Sequence, residues 1–489
     1  MTSITTLDPK NLSNIYFASD ASIPSNEYYV HPSISIANTT TDQDEHAPAT
    51  DERIAHGRGV MVQHEISAGE CLFVSPPTVT VGFSDMKTRY LEEGRGRLED
   101  AAMELLQENM MGAIEEQNHA TMNSFLVLMG SSITKKEEEI NVTLDLLNAQ
   151  VDTQIWSGEQ LSKITETNMK NIILKNAFGP DFITYDKIQQ QWEAAGLTNH
   201  SSSFYIPPHI LGIYPLAAMI NHSCTANAIR SFAHNGTMIV HASKTIPKGS
   251  EVKWSYIPPT QVFAERRRAL KKRHGFFCKC ERCLVEAKEL RRDILPVTLQ
   301  SALEEGMKWN GRLMDVVSGS NVDNSSKRQL CIAFMNLEDN VFASTSKSLS
   351  NEVKRHLRVG YTNLHFNYFN AVLLSATGTD KLKQAQKMVL ASAMQLHFAF
   401  CASNNASTEH LSILHLCYEL AIAIYSQSND TQKTPNLQVK FWTETIKRIH
   451  MIRYGGMGSD LEAVRKCLVH TRTLLRQRNG FLKVNDNFL

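Results

Sequence analysis

The sequence predicts an α+β protein in which a β-rich part with a helical insertion precedes an α-helical C-terminal domain. Short runs of apolar and β-branched residues flank glycine turns near residues 60–74 and 238–256. Apolar residues recur at three- and four-residue spacing in the segment 85–178, and again from Glu286 almost to the C-terminus. The change of hydrophobic period along the chain therefore separates a β-rich part from two helical ones.

Two pairs of short strands are predicted, each pair joined by a glycine turn. In chain order the predicted strands and turns are residues 60–62, a turn at 67–69, residues 71–74, residues 238–242, a turn at 247–249 and residues 251–256.

The helical pattern predicts several amphipathic helices on both sides of the second strand pair. The predicted helices cover residues 91–111, 124–129, 140–151 and 161–174 in the insertion, and residues 384–402, 409–426, 439–453 and 460–476 in the C-terminal domain. Ser407, Thr408 and Ser459 stand where helix caps are expected.

Length and composition indicate a chain of more than one domain. The chain has 489 residues, 42% of them hydrophobic, and 50 Lys and Arg residues balance 50 Asp and Glu residues. We expect two or three domains with sizeable cores. Because the formal net charge is zero, there is no whole-protein attraction for nucleic acid or an anionic membrane, and any basic surface must be local.

The N-terminal segment predicts a flexible arm at residues 1–51, since it is rich in Ser, Thr, Asn and Asp. It lacks the basic start and apolar run of a secretory signal. The most apolar segment, residues 413–425, is interrupted by His415 and Glu419, which indicates a buried helix and not a membrane span. We therefore expect a soluble protein of the cytoplasm, the nucleus or both.

Three of the nine cysteines, Cys278, Cys280 and Cys283, lie within one short segment. No strand or helix period explains three thiols at this spacing, whereas a tetrahedral zinc site does. A structural zinc site needs a fourth Cys or His ligand, and Cys224 in Asn-His-Ser-Cys is the candidate. The remaining cysteines stand among apolar residues and are predicted to be buried small side chains.

Four short motifs follow one another along the chain: His-Gly-Arg-Gly at 56–59, Gly-Ile-Tyr-Pro leading to Asn-His-Ser-Cys at 212–224, Gly-Ser-Glu to Tyr256 at 249–256, and the cysteine segment at 278–283. Their order resembles that of the SET-domain methyltransferases, most closely their SMYD branch. The resemblance implies a SET-type β fold at 52–257 with a helical insertion at about 85–175, then a zinc-bound post-SET segment at 258–286. Residues 287–489 are expected to form an α-helical C-terminal domain.

The resemblance also implies a site for S-adenosylmethionine. Gly57, Arg58 and Gly59 would lie against its methionine end, where absent side chains allow close backbone approach. Asn221 and His222 would hydrogen-bond the cofactor, and Phe276 would stack on the adenine.

A looser match adds Asn176 to the cofactor site, and Phe178 and Tyr214 to the channel for the substrate lysine. The alternative alignment uses Ser203 and Phe204 in place of Asn176 and Phe178, and the sequence leaves that choice open.

Tyr256 matches the catalytic tyrosine of the family. Methyl transfer from a sulfonium to an amine needs in-line alignment at near-contact distance. The lysine must be neutral although its ordinary pKa is about 10.4, and an apolar aromatic channel disfavours the ammonium form. The implied activity is protein-lysine N-methylation of a histone or a non-histone substrate.

Two departures from the family pattern limit what can be carried over. The proline that usually follows Asn-His-Ser-Cys is missing from Thr225-Ala226-Asn227, which leaves the loop less rigid but removes no reacting group. Residues 75–120 contain no cysteine, so the MYND zinc finger is expected to be absent, and its partner recruitment is not implied.

Two other functions remain open from the sequence. A catalytically inactive SET scaffold would bind partner proteins through the helical C-terminal domain. A nucleic-acid binder would use the basic runs at residues 266–268 and 271–273, but we expect those runs to form a solvated helix face, which makes nucleic acid an unlikely partner. The sequence names neither the substrate, the degree of methylation nor the oligomeric state.

Overall fold

The computed structural model describes most of the chain between residues 28 and 455. The described residues are 28–38, 58–82, 85–86, 88–89, 98–116, 118–129, 147, 166–178, 210–232, 236–311, 324–343, 348–425 and 437–455. The chain divides into two compact units. The first contains the described residues up to Asn221 with residues 230–253 and 454–455, and the second contains residues 222–229 and 254–453.

The strands are short and lie between residues 29 and 254. They are β1 (Tyr29–Val30), β2 (Ile34–Asn38), β3 (Arg58–Val62), β4 (Cys71–Ser75), β5 (Val79–Gly82), β6 (Ala177–Phe178), β7 (Ile210–Ile213), β8 (Asn221–His222), β9 (Ala228–Phe232), β10 (Met238–Ala242) and β11 (Lys253–Trp254). They form four small sheets of orders β1-β4-β10-β9, β2-β3, β5-β7-β6 and β8-β11.

The helices flank these strands and then continue to the end of the described chain. They are α1 (Leu98–Glu115), α2 (His119–Met129), α3 (Glu166–Asn176), α4 (Pro215–Ala218), α5 (Phe263–His274), α6 (Glu281–Glu289), α7 (Val297–Gly311), α8 (Asn324–Leu337), α9 (Asn351–Gly360), α10 (Thr362–Ser375), α11 (Thr379–Ser403), α12 (Thr408–Tyr425) and α13 (Leu437–Tyr454), with one turn of π-helix at Glu338–Phe342. The α+β class and the helical C-terminal region are confirmed.

The two strands at the centre of the largest sheet are buried along their whole length. β4 and β10 pair antiparallel, with Val74 opposite Ile239 and Phe73 opposite Val240, and each strand is buried at all five positions. A strand covered on both faces reads as a continuous apolar run and not as an alternating one, which explains its composition. Both predictions, at 71–74 and 238–242, are confirmed.

The predicted N-terminal arm is too long. Residues 28–38 form β1 and β2, with β1 antiparallel to β4 and β2 antiparallel to β3 from Ile34 opposite Val62 to Asn38 opposite Arg58. The prediction rested on polar composition, but Ile34 and Ile36 alternate with polar residues, and Ile34 is buried. The rest of the predicted arm lies outside the described residues.

The helices of the insertion pack on the three-stranded sheet β5-β7-β6. Their shared core consists of Val79, Val81, Met86, Ala102, Leu106, Met110, Met122, Phe125, Met169, Ile172, Ile173, Leu211 and Ile213. The predicted helices at 91–111, 124–129 and 161–174 correspond to α1, α2 and α3. Residues 91–97 and 161–165 lie outside the described residues, and three of the other four helix ends differ from the prediction by two to five residues. Apolar period locates a buried face but not the end of a helix. The predicted helix at 140–151 lies outside the described residues except for Leu147, which is helical.

Both predicted glycine turns adopt the left-handed backbone that favours glycine. Gly69 has φ of 91° and Gly249 has φ of 78°. The predicted strand at 251–256 was wrong in extent, because β11 covers only Lys253–Trp254. Pro258 and Pro259 follow closely, and proline lacks the backbone donor that a continuing strand needs.

The C-terminal predictions agree with the helices observed. Residues 384–402, 409–426 and 439–453 correspond to α11, α12 and α13, while residues 460–476 and Ser459 lie outside the described residues. The Ser407 hydroxyl accepts a hydrogen bond from the backbone N–H of His410, as predicted for a cap. Residues 413–425 belong to the mostly buried α12. Across the described ranges, no helix combines the length and apolar character needed to cross a membrane.

Candidate active site

Four cysteine side chains meet in the second unit. Cys224 lies in the loop after β8, Cys278 and Cys280 precede α6, and Cys283 lies in its first turn. The Cys224 Sγ is 4.0 Å from the Sγ of Cys278 and 3.6 Å from that of Cys283. All four sulfur atoms lie within 4.8 Å of one another. The structure therefore brings together the four residues predicted as metal ligands.

This thiol cluster, Cys224, Cys278, Cys280 and Cys283, has the donor chemistry of a tetrahedral zinc site. A zinc–thiolate bond of about 2.3 Å places two sulfurs about 3.8 Å apart at tetrahedral angles, close to the distances measured from Cys224. Side-chain hydrogen bonds with Cys278, Cys280 and Cys283 raise the pKa of Cys224, and those with Cys224 and Cys278 lower the pKa of Cys280. The thiols already share protons that a divalent cation would displace, so the residues present fit Zn²⁺.

A fully buried ion triad, Arg266, Arg282 and Glu286, borders the thiol cluster. Arg266 Nη2 donates to Glu286 Oε2 and lies 3.8 Å from the Cys283 Sγ. Arg282 Nε is 3.3 Å from Glu286 Oε1. Burial opposes the charge of Arg266, but the Glu286 carboxylate raises the pKa of its guanidinium. Two guanidiniums and one carboxylate leave one buried positive charge, which a cysteine thiolate would compensate.

The same arginines hold the surrounding backbone through carbonyl groups. Arg282 donates from Nη1 to the Pro259 oxygen at 3.1 Å and from Nη2 to the His356 oxygen at 3.0 Å. Arg266 Nη1 donates to the Gln261 oxygen at 2.9 Å. These bonds connect α6, which carries Cys283, to the loop before α5 and to α9. The thiol cluster is thereby part of the packing of the helical region.

The prediction that residues 266–268 and 271–273 form a solvated helix face was wrong at Arg266, which has no exposed surface. No sequence signal distinguished it from its neighbours, because all three arginines stand in one run. Arg267 is instead 4.5 Å from the ring centre of the exposed Phe277, and Lys271 Nζ is 5.2 Å from the same centre. These cation–π contacts occupy part of the basic face within the chain itself.

His222 links the thiol cluster to Tyr256. The backbone N–H of Tyr256 donates to His222 Nδ1 at 3.0 Å, and His222 Nε2 is 3.3 Å from the Cys224 Sγ. Because Nδ1 accepts, the proton of the neutral ring lies on Nε2 and faces the sulfur. Burial lowers the pKa of His222 to about 4, so the ring is neutral near pH 7. Both ring nitrogens are therefore used inside the protein.

Three rings surround the ring of Tyr256. Its ring centre is 5.2 Å from that of His222, 4.8 Å from that of His274 and 6.5 Å from that of Phe276. Tyr256, His274 and Phe276 are each partly exposed. This aromatic group, His222, Tyr256, His274 and Phe276, offers accessible ring faces to a planar ligand. His274 was missed by the sequence analysis, where only its place two residues before Phe276 could have indicated it.

In the first unit, the side chain of Asn221 is held at the end of its short strand. Its Nδ2 donates to the backbone oxygen of Arg58 at 3.1 Å and to Glu251 Oε1 at 2.6 Å. Glu251 Oε2 also contacts Lys253 Nζ at 2.8 Å. Glu251 belongs to the Gly-Ser-Glu motif, and the sequence assigned it no role. Its position shows that it fixes the side-chain amide of Asn221.

Phe178 and Tyr214, the two predicted channel residues, contact each other in the first unit. Their ring centres are 6.1 Å apart in an edge-to-face arrangement, and Arg230 lies 5.3 Å from the Phe178 ring centre. Tyr214 is fully buried and its hydroxyl donates to the Gly236 oxygen at 2.6 Å. Phe178 is thus the more accessible of the two rings.

The remaining predicted residues are placed only in part. Asn176 ends α3, where its Nδ2 donates to the Ile172 oxygen of the same helix at 3.0 Å. Arg58 donates from Nη2 to the Val127 oxygen at 3.1 Å, and Gly59 lies opposite Ala37 in the β2-β3 pair. Gly57 and the alternative residues Ser203 and Phe204 lie outside the described residues.

Comparison with known proteins shows what the segment that contains most of these residues is similar to. Residues 57–257 match the family model of the SET domain. Over 76 residues the chain is 38% identical to histone-lysine N-methyltransferase ASHR1 of Arabidopsis thaliana, covering 16% of each protein. It is 36% identical over 84 residues to a SET and MYND domain-containing protein of Dictyostelium discoideum, covering 17% of this chain and 24% of that protein.

A longer match joins the chain to histone-lysine N-methyltransferase SET5 of Saccharomyces cerevisiae. The two are 35% identical over 156 residues, which cover 31% of this chain and 30% of that protein. The matched segments thus span from about a sixth to under a third of these relatives. The predicted resemblance to SET domains of the SMYD type is confirmed.

Proposed function

We propose that this chain, which contains a SET domain similar to those of SMYD and SET5 proteins, is an S-adenosylmethionine-dependent protein-lysine N-methyltransferase. The observation that carries the proposal is the position of His222 between the Tyr256 backbone and the Cys224 sulfur. Relatives named as histone-lysine methyltransferases support the same reaction. The catalytic tyrosine of the proposal is Tyr256.

In this proposal the thiol cluster holds a structural Zn²⁺ as part of a post-SET segment at 258–286. A closed four-thiolate site contributes folding energy and takes no part in chemistry. Arg266, beside Cys283, would offset part of the negative charge of the thiolates. His222 would donate a hydrogen bond from Nε2 to the Cys224 thiolate. Because its Nδ1 accepts from the Tyr256 N–H, the fixed cluster would hold the Tyr256 backbone in place.

S-adenosylmethionine supplies an electrophilic methyl group when it is bound. Phe276, with a partly exposed ring, would provide the face for the adenine. Asn221 would present the Oδ1 of its side-chain amide, because its Nδ2 already donates to Arg58 and Glu251. Because both ring nitrogens of His222 are already engaged, we assign its cofactor contact to backbone atoms. Residues 57–59 would approach through the backbone, with Asn176 as a further contact.

Tyr256 would direct its hydroxyl toward the transferred methyl group while the substrate lysine approaches along an aromatic channel. Phe178 would line that channel, with Tyr214 behind it to hold the ring in place. Apolar ring faces disfavour the lysine ammonium and release a neutral amine for attack. The substrate is a protein lysine, and reduced thiols require the cytoplasm or nucleus as the site of action.

The test compares wild type with Tyr256→Phe, using isotopically labelled S-adenosylmethionine and cell extract as the source of protein substrate. Removing a group that acts at the reacting centre lowers the rate by about 100- to 1000-fold, so we expect loss of labelling with unchanged cofactor affinity in calorimetry. Tyr418→Phe, in α12, is the matched control and should label as wild type does.

Equal labelling by wild type and Tyr256→Phe would remove the catalytic assignment. No labelling by either protein, together with no heat of cofactor binding, would instead favour an inactive SET scaffold that binds proteins through its helical domain.

A further inference from the structure

Three potential metal ligands meet between the consecutive helices α11 and α12, apart from the thiol cluster in sequence. His397 and Cys401 lie on α11, and His410 lies in the first turn of α12. His397 Nδ1 is 2.9 Å from His410 Nε2, and the Cys401 Sγ is 3.8 Å from His410 Nε2 and 3.9 Å from His397 Nδ1. All three ligand atoms lie within 4.8 Å of one another.

The spacing and distances suit one small cation. Residues four apart share a helix face, so His397 and Cys401 can act on the same ion. Bonds of about 2.0 Å to nitrogen and 2.3 Å to sulfur give tetrahedral edges of about 3.3 to 3.6 Å. The three measured separations fall within about half an ångström of those edges, which side-chain rotation alone can adjust.

Each of the two histidines accepts a hydrogen bond at one ring nitrogen, so both rings are neutral, as metal binding requires. His397 and His410 are almost fully buried. Burial lowers the pKa of His397 to about 4 and that of His410 well below its ordinary value, and the charge of Arg448 adds to both effects. Both rings are thus neutral near pH 7.

Aromatic side chains pack against the two histidine rings, whereas the Cys401 thiol is the more accessible of the three groups. Phe400 stacks on His410 with an interplanar angle of 7°, and Trp442 meets His397 edge to face. Cys401 is only partly buried. Rigid imidazoles beside a more accessible thiol resemble metal sites that keep one position open to an outside ligand.

The hydrogen bonds specify which protons must move. The backbone N–H of Ala406 donates to His410 Nδ1 at 3.1 Å, so the His410 proton lies on Nε2 and is donated to His397 Nδ1. A metal at Nε2 displaces this proton to Nδ1, which ends the bond from Ala406. Ala406 lies at φ of 59°, a left-handed backbone that non-glycine residues rarely adopt.

We propose that His397, Cys401 and His410 form a second metal site, selective for a thiophilic cation such as Zn²⁺. The ion binds two neutral imidazoles and the Cys401 thiolate, and water or an outside ligand takes the fourth position. On binding, the Cys401 thiol releases its proton to solvent while the His410 proton stays on the ring, so one proton is released for each ion bound.

The test measures the zinc content of full-length wild type, Cys401→Ser and Cys331→Ser after equilibration with Zn²⁺ and removal of unbound metal. Cys331 is a partly buried cysteine on α8 and serves as the matched control. We expect Cys401→Ser to hold one zinc equivalent fewer than the other two proteins. This difference does not depend on whether the thiol cluster or the proposed methyltransferase activity exists.

A second variant and a second probe keep the test decisive. His397→Gln should lose the same equivalent, with far-ultraviolet circular dichroism used to verify that both variants are folded. Co²⁺ bound to wild type should show a thiolate-to-cobalt absorption that Cys401→Ser reduces. Unchanged zinc content in both folded variants would overturn the proposal and leave a hydrogen-bonded His–His pair at this position.

Discussion

The thiol cluster and the cluster formed by His397, Cys401 and His410 differ in how the surrounding chain compensates their charge. Two fully buried arginines and one buried glutamate border the thiol cluster. At the histidine cluster the rings are neutral, and the cation that acts on them, Arg448, is exposed. The thiol cluster is therefore built for ionised ligands, whereas the histidine cluster is stable as a set of neutral groups.

The two clusters also differ in what depends on them. The thiol cluster connects Cys224, before β9, with the start of α6, and through Arg282 with α9 and through His222 with Tyr256. The histidine cluster, His397, Cys401 and His410, joins the consecutive helices α11 and α12, which already pack along their length, and contacts α13 through Trp442. Loss of the first should disturb both folding and activity, while loss of the second should stay local.

The largest effect is expected from Cys224→Ser. Structural zinc contributes about 10–16 kcal/mol of binding free energy in small domains that fold on metal, and a serine in place of one thiolate forfeits much of it. We expect loss of one zinc equivalent, of the cooperative unfolding transition of the second unit and of activity, measured by metal analysis, urea unfolding and methyl transfer.

The effect of Cys401→Ser on stability is expected to be much smaller than that of Cys224→Ser. Without added Zn²⁺, so that bound metal does not add to stability, the unfolding transition of Cys401→Ser should remain cooperative. Its free energy of unfolding should lie within about 1 kcal/mol of wild type, as for a partly exposed substitution. Equal unfolding free energies for the two serine variants would mean that the clusters do not differ as described.

A smaller effect is expected from Glu286→Gln, which removes the carboxylate between Arg266 and Arg282. Breaking a buried ion pair while its partner charge remains costs about 3–5 kcal/mol. We expect a decrease of that size in the free energy of unfolding, measured with urea. The control is Glu304→Gln, whose carboxylate lies at the surface, 3.6 Å from Arg292, and which should change stability by less than about 0.5 kcal/mol.

If Glu286→Gln proved as mild as its control, the arginines would not require a buried negative partner. The charge argument for ionised thiols at Cys283 would then fail as well.

The sequence predicted what local spacing encodes and missed what depends on packing. The sequence predicts Cys278, Cys280 and Cys283 as metal ligands because the three thiols lie in one short segment. Cys224 is predicted because a structural zinc site needs a fourth ligand. His397 and Cys401 also have a regular helical spacing, but the third member, His410, comes from the next helix, so only the fold reveals the group. Helix faces were predicted well for the same reason, since apolar period is local.

Burial of single charged residues could not be predicted. Arg266 and Arg267 are neighbours of the same type, yet one contacts a buried carboxylate and the other covers an exposed ring. That distinction depends on which side of α5 faces α6, which the run of basic residues does not encode. The strands at 28–38 were missed because their partners, β3 and β4, lie tens of residues away in sequence.

The smallest expected effect concerns a buried histidine that belongs to neither cluster. His365 has no exposed surface, and its Nδ1 donates to the Tyr361 oxygen at 2.9 Å. Burial lowers its pKa from 6.5 to about 4. Between these values the unfolded chain binds a proton that the folded chain does not, so stability is complete above about pH 6.5 and falls as pH decreases toward 4.

His365→Gln should therefore lose less stability on acidification than wild type does. From the two pKa values, the loss in free energy of unfolding between neutral pH and about pH 5 should be about 2 kcal/mol smaller in His365→Gln than in wild type. Urea unfolding at both pH values measures it, with the substitution of an exposed histidine, His64→Gln, as the matched control. If the free energy of unfolding of His365→Gln fell with pH as steeply as that of wild type, the acid sensitivity would arise elsewhere. His397 and His410 would then be the next residues to substitute.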